Sequence, residues 1–304
     1  MENKPLVSVI MNCYNSETYL KEAIESVLNQ TYENFELIFW DNQSTDNSAE
    51  IVHTFDDKRI KYFYAPEHTS LGEGRNRALQ KAQGEYISFL DCDDLYLPQK
   101  LEKTLACFDE ETGIVYTNGF TLYEHNGEKK PFYTNTQPSG ALFEEWLSSY
   151  QVMIPSVMFK KEVLNSLEYW FDNRFSMIEE FDFFIRIAKT YKVGYVDEKL
   201  CLWRAHSGSL TWSKKELFEK ENKIFLEKII QKYPHLKGTK AIQHFESKIA
   251  YHQFYNEWQA GKGVNRKLLK PYFSLDKRFI VIYILSFFGL ATFNKVLKTI
   301  GKSV

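Results

Sequence analysis

Three apolar runs that break off abruptly into polar residues restrict the fold of this chain more than any other feature. Leu6 to Met11 is continuous and valine-rich, Phe35 to Trp40 is apolar apart from Glu36, and Tyr86 to Leu90 runs directly into Asp91-Cys92-Asp93-Asp94. Runs without solvent-facing alternation suit strands covered on both faces, as in a parallel sheet. Helical patterns separate them. Ser16 is a candidate N-cap, followed by Glu17, for a helix to about Asn29 with a core face of Tyr19, Leu20, Ala23, Ile24, Val27 and Leu28. Ser44 or Asp46 can cap the next helix, and Ile60 to Tyr64 reads as a weaker strand. A further helix opens at Gly72-Glu73-Gly74-Arg75-Asn76 and runs to about Gln83, with Gly84 as the residue just past its end. A helix from Pro98 to about Phe108 and a strand from Gly113 to Asn118 complete the region. Alternating strands and helices define the class as α/β, with a mostly parallel, Rossmann-like sheet flanked by helices.

In such a sheet the carboxyl ends of the strands share one edge, where ligands bind. Three ends carry polar residues: Asn12 with Tyr14, Asp41, and Asp91 with Asp93. The expectation is one cleft with an aromatic face, a hydrogen-bonding carboxylate and a metal-binding pair, which a nucleotide carrying a diphosphate would fill. Clustered carboxylates repel unless a cation or a pKa shift intervenes, and hard oxygen ligands favour Mn2+ or Mg2+. Taken alone, the acidic cluster equally suits a solvated turn before the helix at Pro98. The glycines at 72 and 74 match neither a P-loop nor a dinucleotide fingerprint, so they are read as a helix start from which Arg75 can point into the cleft.

The net charge of the 304 residues is -2, which gives no reason to expect nucleic acid as a partner. Cys13, Cys92, Cys107 and Cys201 show no CxxC spacing, which argues against zinc and a disulfide framework. The first residues lack a signal-peptide pattern, so the expected location is the cytoplasm.

Over about the first 120 residues the chain resembles the family 2 glycosyltransferases, which have the GT-A fold. The matching stretches are Val7 to Ile10 through Tyr14-Asn15, Ala23 to Tyr32, Asp41 to Asp46, Gly74 to Asn76, Gly84 to Ile87 and Asp91 to Pro98, in the family's order and spacing. Asn42 stands where the family has an acidic or small residue, and Gln43 where it has glycine. The resemblance implies that Tyr14 stacks on the nucleotide base with Asn12 nearby, and that Asp41 accepts a hydrogen bond from the base, most often uracil. It also implies that Arg75 lies near the nucleotide, that Asp91 faces the ribose or the metal, and that Asp93 binds the metal on the diphosphate. Cys92 fills the variable middle position without a metal role.

The second half carries two further matches. Glu179-Glu180 resembles the family's acidic pair before a helix, with Glu180 the implied general base, although the family usually has Glu-Asp there. Arg204-Ala205-His206-Ser207-Gly208-Ser209 resembles an Arg-x-His-x-x-Ser segment in which the histidine lies by the metal or diphosphate. Asp182 and Arg186 lie four apart on one helix face, a structural pairing. Tyr116 to Thr136 reads as a hairpin with a polar tip at Glu124 to Lys130, Pro155 to Lys160 as a short strand, and Tyr195 to Ala205 as two strand-like segments.

The expected organisation is a catalytic domain over 1–212, with a nucleotide-binding half (1–118) and an acceptor half (119–212), and a helical region over 213–304. From Gly261 onward there are nine Lys or Arg and one acid, Asp276, around the charge-free stretch Phe279 to Phe293. Fifteen residues are short for a membrane span, so a helix on an anionic membrane surface is expected. The segment equally suits packing on the catalytic domain or burial in a homodimer. The implied activity is inverting, metal-dependent transfer of a sugar from a UDP-sugar or similar donor to a glycan or lipid-linked glycan acceptor. A catalytically silent carbohydrate-binding or scaffold protein is the rival reading. A sugar nucleotidyltransferase ranks lower, since Asn12-Cys13-Tyr14-Asn15 replaces the glycine-rich basic loop expected after its first strand.

Overall fold

The computed structural model describes residues 4–206, 208 and 215–299. The chain forms two compact units, one from Met1–Phe143 with Gln151–Ser213 and the other from Glu144–Tyr150 with Lys214–Val304.

The first unit is built on β1 (Val7–Cys13), α1 (Glu17–Leu28), β2 (Phe35–Asp41), α2 (Ser48–His53), β3 (Ile60–Tyr64), α3 (Leu71–Leu79) and β4 (Tyr86–Phe89). After these come β5 (Leu95–Tyr96), α4 (Lys100–Leu105), β6 (Thr112–Tyr123), β7 (Glu128–Pro131), β8 (Met158–Lys160), α6 (Glu179–Ala188) and β9 (Lys192–Ala205), while α5 (Phe143–Ser149) belongs from Glu144 on to the second unit. Among the described residues the nine strands form one sheet in the order β3-β2-β1-β4-β8-β6-β9-β5, with β7 paired to β6. The β3-β2-β1-β4 ladders are parallel, as is β6 with β9. β8 runs antiparallel to β4 and β6, and β5 to β9. Every residue of β2 is buried and β1 is buried except at Asn12, as their apolar runs require.

Leu20, Ala23, Ile24 and Val27 of α1 are buried against this sheet. Each such aliphatic side chain larger than alanine contributes roughly 1.5–3 kcal/mol on burial. Tyr19 departs from the expected core face: it is half-buried, with the Arg204 guanidinium 4.2 Å from its ring centre. Ser16 occupies the N-cap position, but its hydroxyl donates to Tyr14 O. The cap comes instead from the β2–α2 loop, where Asp46 Oδ2 accepts from Glu17 N at 3.0 Å and Glu17 Oε2 accepts from Asn47 N at 3.0 Å. The two loops at the carboxyl edge therefore lock each other.

Gly84 also differs from expectation. α3 ends at Leu79, and Gly84 is needed for close approach: a Cβ there would lie 2.6 Å from Ser8 N and 2.7 Å from Leu6 O. Its N–H donates to Ser8 Oγ, which donates to Glu36 Oε1, so a buried network fixes the turn into β4. α4 starts two residues beyond Pro98 and ends at Leu105, and Tyr195 to Ala205 lies within the one strand β9. Lys100 at the head of α4 is fully buried, its ammonium donating to Ser88 Oγ and Val157 O and lying 4.6 Å from the Tyr96 ring centre.

The second unit contains α7 (Lys215–Lys232), α8 (Lys240–Gln259), α9 (Arg278–Leu285) and α10 (Leu290–Thr299). Phe254, Tyr255, Leu269, Phe279 and Phe293 form a core within it. The charge-free stretch is not one helix, because a 3-10 turn at Ser286–Phe288 and Gly289 at φ 85° separate α9 from α10. No helix among the described residues is long and apolar enough to cross a membrane.

Candidate active site at the carboxyl edge of the sheet

The ends of β1, β2 and β4 lie side by side, since Cys13 pairs with Asp41 and Ile10 with Phe89. Their loops are tied together: Asn42 N donates to Cys13 O at 2.8 Å, and Cys92 Sγ to Asn12 O at 3.2 Å. This gathers Asn12, Tyr14, Asp41 and the Asp91–Asp94 turn at one edge.

Tyr14 is half exposed and its ring lies 4.3 Å from that of His68. His68 Nδ1 lies 2.9 Å from Asn42 O, which can only accept, so Nδ1 carries the proton. The two rings are tilted 49° to each other, and the half-exposed Tyr14 ring offers the flat face to a planar group. Asp41 is buried, accepting from Tyr62 OH at 2.7 Å and from Ser44 N at 2.7 Å. Burial, and then Asp41, push the Tyr62 phenol up, so it remains a donor to that carboxylate. Asn12 keeps both side-chain polar atoms buried without a hydrogen bond, and Trp40 Nε1 is in the same position. Such groups are costly unless something supplies partners.

Arg75 is only 2% exposed. Its guanidinium bridges Asp91 Oδ1 at 3.1 Å and Glu179 Oε1 at 2.8 Å, between Phe89 and Phe171. It ties α3 to the start of α6, where Glu179 lies 104 residues further along the chain. Burial and the charge of Asp93 raise the Asp91 pKa, against the opposing pull of Arg75. Glu180, next to Glu179 at the start of α6, is pushed up to about 8 by burial and then by the like charge of Glu179. A carboxylate so placed takes up a proton readily.

Asp93 Oδ2 lies 2.8 Å from His206 Nε2. Among the described residues no three Asp, Glu, His or Cys side chains gather closely enough to hold an ion unaided. The donor set fits a hard divalent cation whose shell is completed by phosphate oxygens. Asp93 and His206 already converge, the Asp91 side chain is about one-third open, and ligation would replace the Asp93–His206 hydrogen bond. Asp94 is a different kind of acid. Burial, then Asp93 and Asp91, hold it well above the carboxylate range while its Oδ1 accepts from Arg204 N.

Four residues at the cleft, Tyr62, His68, Arg204 and Tyr19, are not among the site residues the sequence points to. Arg204 Nε donates to Asp93 O at 2.8 Å and its NH2 pairs with Glu22, so it anchors the acidic turn from behind. The Tyr19 hydroxyl donates to Glu124 beyond the end of β6. Arg204 lay inside a recognised segment, whereas no local signal marked His68. Asp182 and Arg186 pair at 3.0 Å as expected. Ser207 and Ser209 of that segment lie outside the described residues. A cavity of about 670 Å³ lined by Leu79, Tyr86, Lys160 and Trp170 lies near the start of β4, away from all candidate residues.

Comparison with known proteins follows the same lines. The family model described as glycosyl transferase family 2 matches residues 8–167. An uncharacterized glycosyltransferase of Haemophilus influenzae is 38% identical, over 62% of this chain and 74% of its own length. A putative teichuronic acid biosynthesis glycosyltransferase of Bacillus subtilis, TuaG, is 32% identical over 54% of this chain and 66% of its own. Among solved structures, S. aureus TarS in complex with UDP-GlcNAc superposes with a TM-score of 0.64 at 19% identity, covering 90% of this chain and 82% of that one. The mannosyltransferase PcManGT of Pyrobaculum calidifontis, in complex with GDP-Man and Mn2+, gives 0.63 at 18% identity, covering 93% and 84%.

Proposed function

The chain belongs to glycosyltransferase family 2 and has its GT-A fold, and on that premise we propose that it moves a sugar from a UDP-sugar to an acceptor hydroxyl with inversion. The observation that carries this reading is the buried Arg75 bridge, which couples the Asp91 side of the cleft to the Glu179-Glu180 pair. Donor chemistry and acceptor deprotonation need that adjacency.

In this reading Tyr14, with His68 beside it, stacks on the base, Asp41 accepts a base N–H, and Asn12 finds its missing partners on the donor. Asp93 and His206, with Asp91, would hold Mn2+ or Mg2+, which when bound neutralises charge on the leaving diphosphate. Glu180 takes the proton of the acceptor hydroxyl as that oxygen bonds to the anomeric carbon. The bond from that carbon to the diphosphate breaks with its electron pair on the phosphate oxygen. A single displacement inverts the centre. Arg75 is a positioning residue that fixes Asp91 and Glu179. The acceptor class we infer is a glycan or lipid-linked glycan of a bacterial surface polymer, for which the name of the TuaG relative is the support. The setting is the cytoplasm, at the inner face of the membrane.

The test is a thermal-shift screen of nucleotide sugars with Mn2+ or Mg2+, followed by UDP release with candidate acceptors. Glu180→Gln should bind donor and fail to transfer. Retained turnover would remove Glu180 from the chemistry. Donor binding without release under any condition would favour the silent carbohydrate-binding protein.

A further inference from the structure

Five large apolar side chains stand in solvent along α9 and the turn after it: Ile280, Val281, Ile284, Phe287 and Phe288, each between 38% and 64% exposed. Among the described residues the other large apolar or aromatic side chains so exposed are Tyr14 and Tyr64. The spacing is helical, and at 3.6 residues per turn these positions fall within an arc of about 120°. The opposite face is anchored, with Phe279 in the unit's own core and Ser286 buried, its hydroxyl donating to Tyr283 O. The stripe is therefore an ordered face of a packed helix.

Its surroundings are basic. Arg266 stacks 3.8 Å from the Phe287 ring centre and donates to Ser286 Oγ and O, which fixes a cation at the stripe's edge. Lys270 lies 5.8 Å from the Tyr283 ring centre, and Lys267 and Lys277 are exposed. Asp276, the single acid from residue 261 onward, pairs with Arg278. A second copy docked face to face would set these cations against themselves. An anionic lipid surface meets both halves of the pattern, taking apolar side chains below its headgroups and cations among them. No described helix is long and apolar enough to cross a membrane, and Gly289 breaks the stretch into two short helices.

We propose that the Ile280–Phe288 stripe, with Arg266, Lys267, Lys270 and Lys277, is a docking face for an anionic lipid bilayer. The inference deepens the peripheral placement proposed above and does not depend on sugar transfer. The test is co-sedimentation of the full chain, without nucleotide sugar, with vesicles of phosphatidylcholine alone or mixed with phosphatidylglycerol. The expected result is binding to the mixed vesicles that falls as salt rises, and weak binding to the neutral ones. Phe287→Ser with Phe288→Ser should weaken it at least about tenfold, since both rings leave the bilayer. Lys267→Glu with Lys277→Glu should abolish the preference for anionic lipid. All four sites are exposed, so UDP release with a soluble acceptor should stay at the wild-type value, and the melting temperature should fall only by what the lost Arg266–Phe287 and Tyr283–Phe287 contacts supply. Failure of the wild type to bind mixed vesicles, or undiminished binding by the Phe variant, overturns the proposal and leaves the transferase reading intact. A dimer abolished by the Phe pair, with no lipid binding, would assign the face to a second copy.

Discussion

Replacing Arg75 by methionine removes a cation shared by Asp91 and Glu179 while keeping most of the side chain's volume. Arg75 and Glu179 are both almost fully buried, with side chains 3% and 4% exposed, so solvent cannot screen the loss. Breaking a buried pair from one side costs about 3–5 kcal/mol, most of it from the charge left behind. A conservative lysine cannot span both carboxylates and should lose roughly half of that. The cost must also depend on pH. In the variant Asp91, already raised by burial, loses the opposing pull of Arg75, so its protonation relieves the folded state and the variant gains stability relative to wild type as pH falls. The difference from wild type should thus be larger in neutral and alkaline buffer and shrink as the pH is lowered. Urea unfolding followed by circular dichroism at several pH values measures this, with Glu179→Gln added to close the double-mutant cycle. Glu179→Gln in the methionine background should restore part of the loss. A deficit below about 1 kcal/mol, or one that ignores pH, would show that the bridge is not what holds the two acids together.

Other outcomes follow from the same geometry. With Glu180 raised to about 8, kcat/KM should climb as pH rises through that region, and Glu179→Gln should shift the ascending limb downward by removing the neighbouring charge; a flat profile in both proteins contradicts the assignment. Tyr14→Ala should weaken UDP binding by about 1–3 kcal/mol, the usual worth of a base–aromatic stack, without changing the melting temperature, as titration calorimetry and thermal denaturation would show. Gln43 adopts φ 69°, so Gln43→Gly should stabilise the protein by about 0.5–1 kcal/mol, less whatever its 3.3 Å bond to Ala65 O contributes, read as a higher urea midpoint.

What could be read from the chain was what the backbone pattern carries locally. β1, β2 and β4 announced themselves by burial on both faces, and the polar residues ending them fell together because a parallel sheet leaves no other arrangement. Gly84 was misread because its role is set by β1, 76 residues away, and not by the helix before it. Tyr19 sits at a core-face spacing on α1, yet Arg204 and Glu124 draw it toward the cleft. The two departures in the Asp41–Asp46 stretch acquire physical sense only in three dimensions. Asn42 donates from Nδ2 to Thr69 O while accepting from Thr69 N, which a carboxylate could not do. Gln43 occupies a left-handed position where glycine would be unstrained. Arg75 could be placed near the cleft but not as a bridge, since that required knowing where α6 begins in space.

Lys100 gives the folded domain an internal clock. Burial holds its amine down to about 7, so at neutral pH much of it is an uncharged nucleophile, yet it is sealed among Ser88, Val157 and Tyr96. Acylating reagents will mark the surface lysines within the first moments of exposure and reach this one only when the sheet parts from α4. The lag before position 100 is tagged, read by mass spectrometry, therefore reports how often the catalytic domain opens.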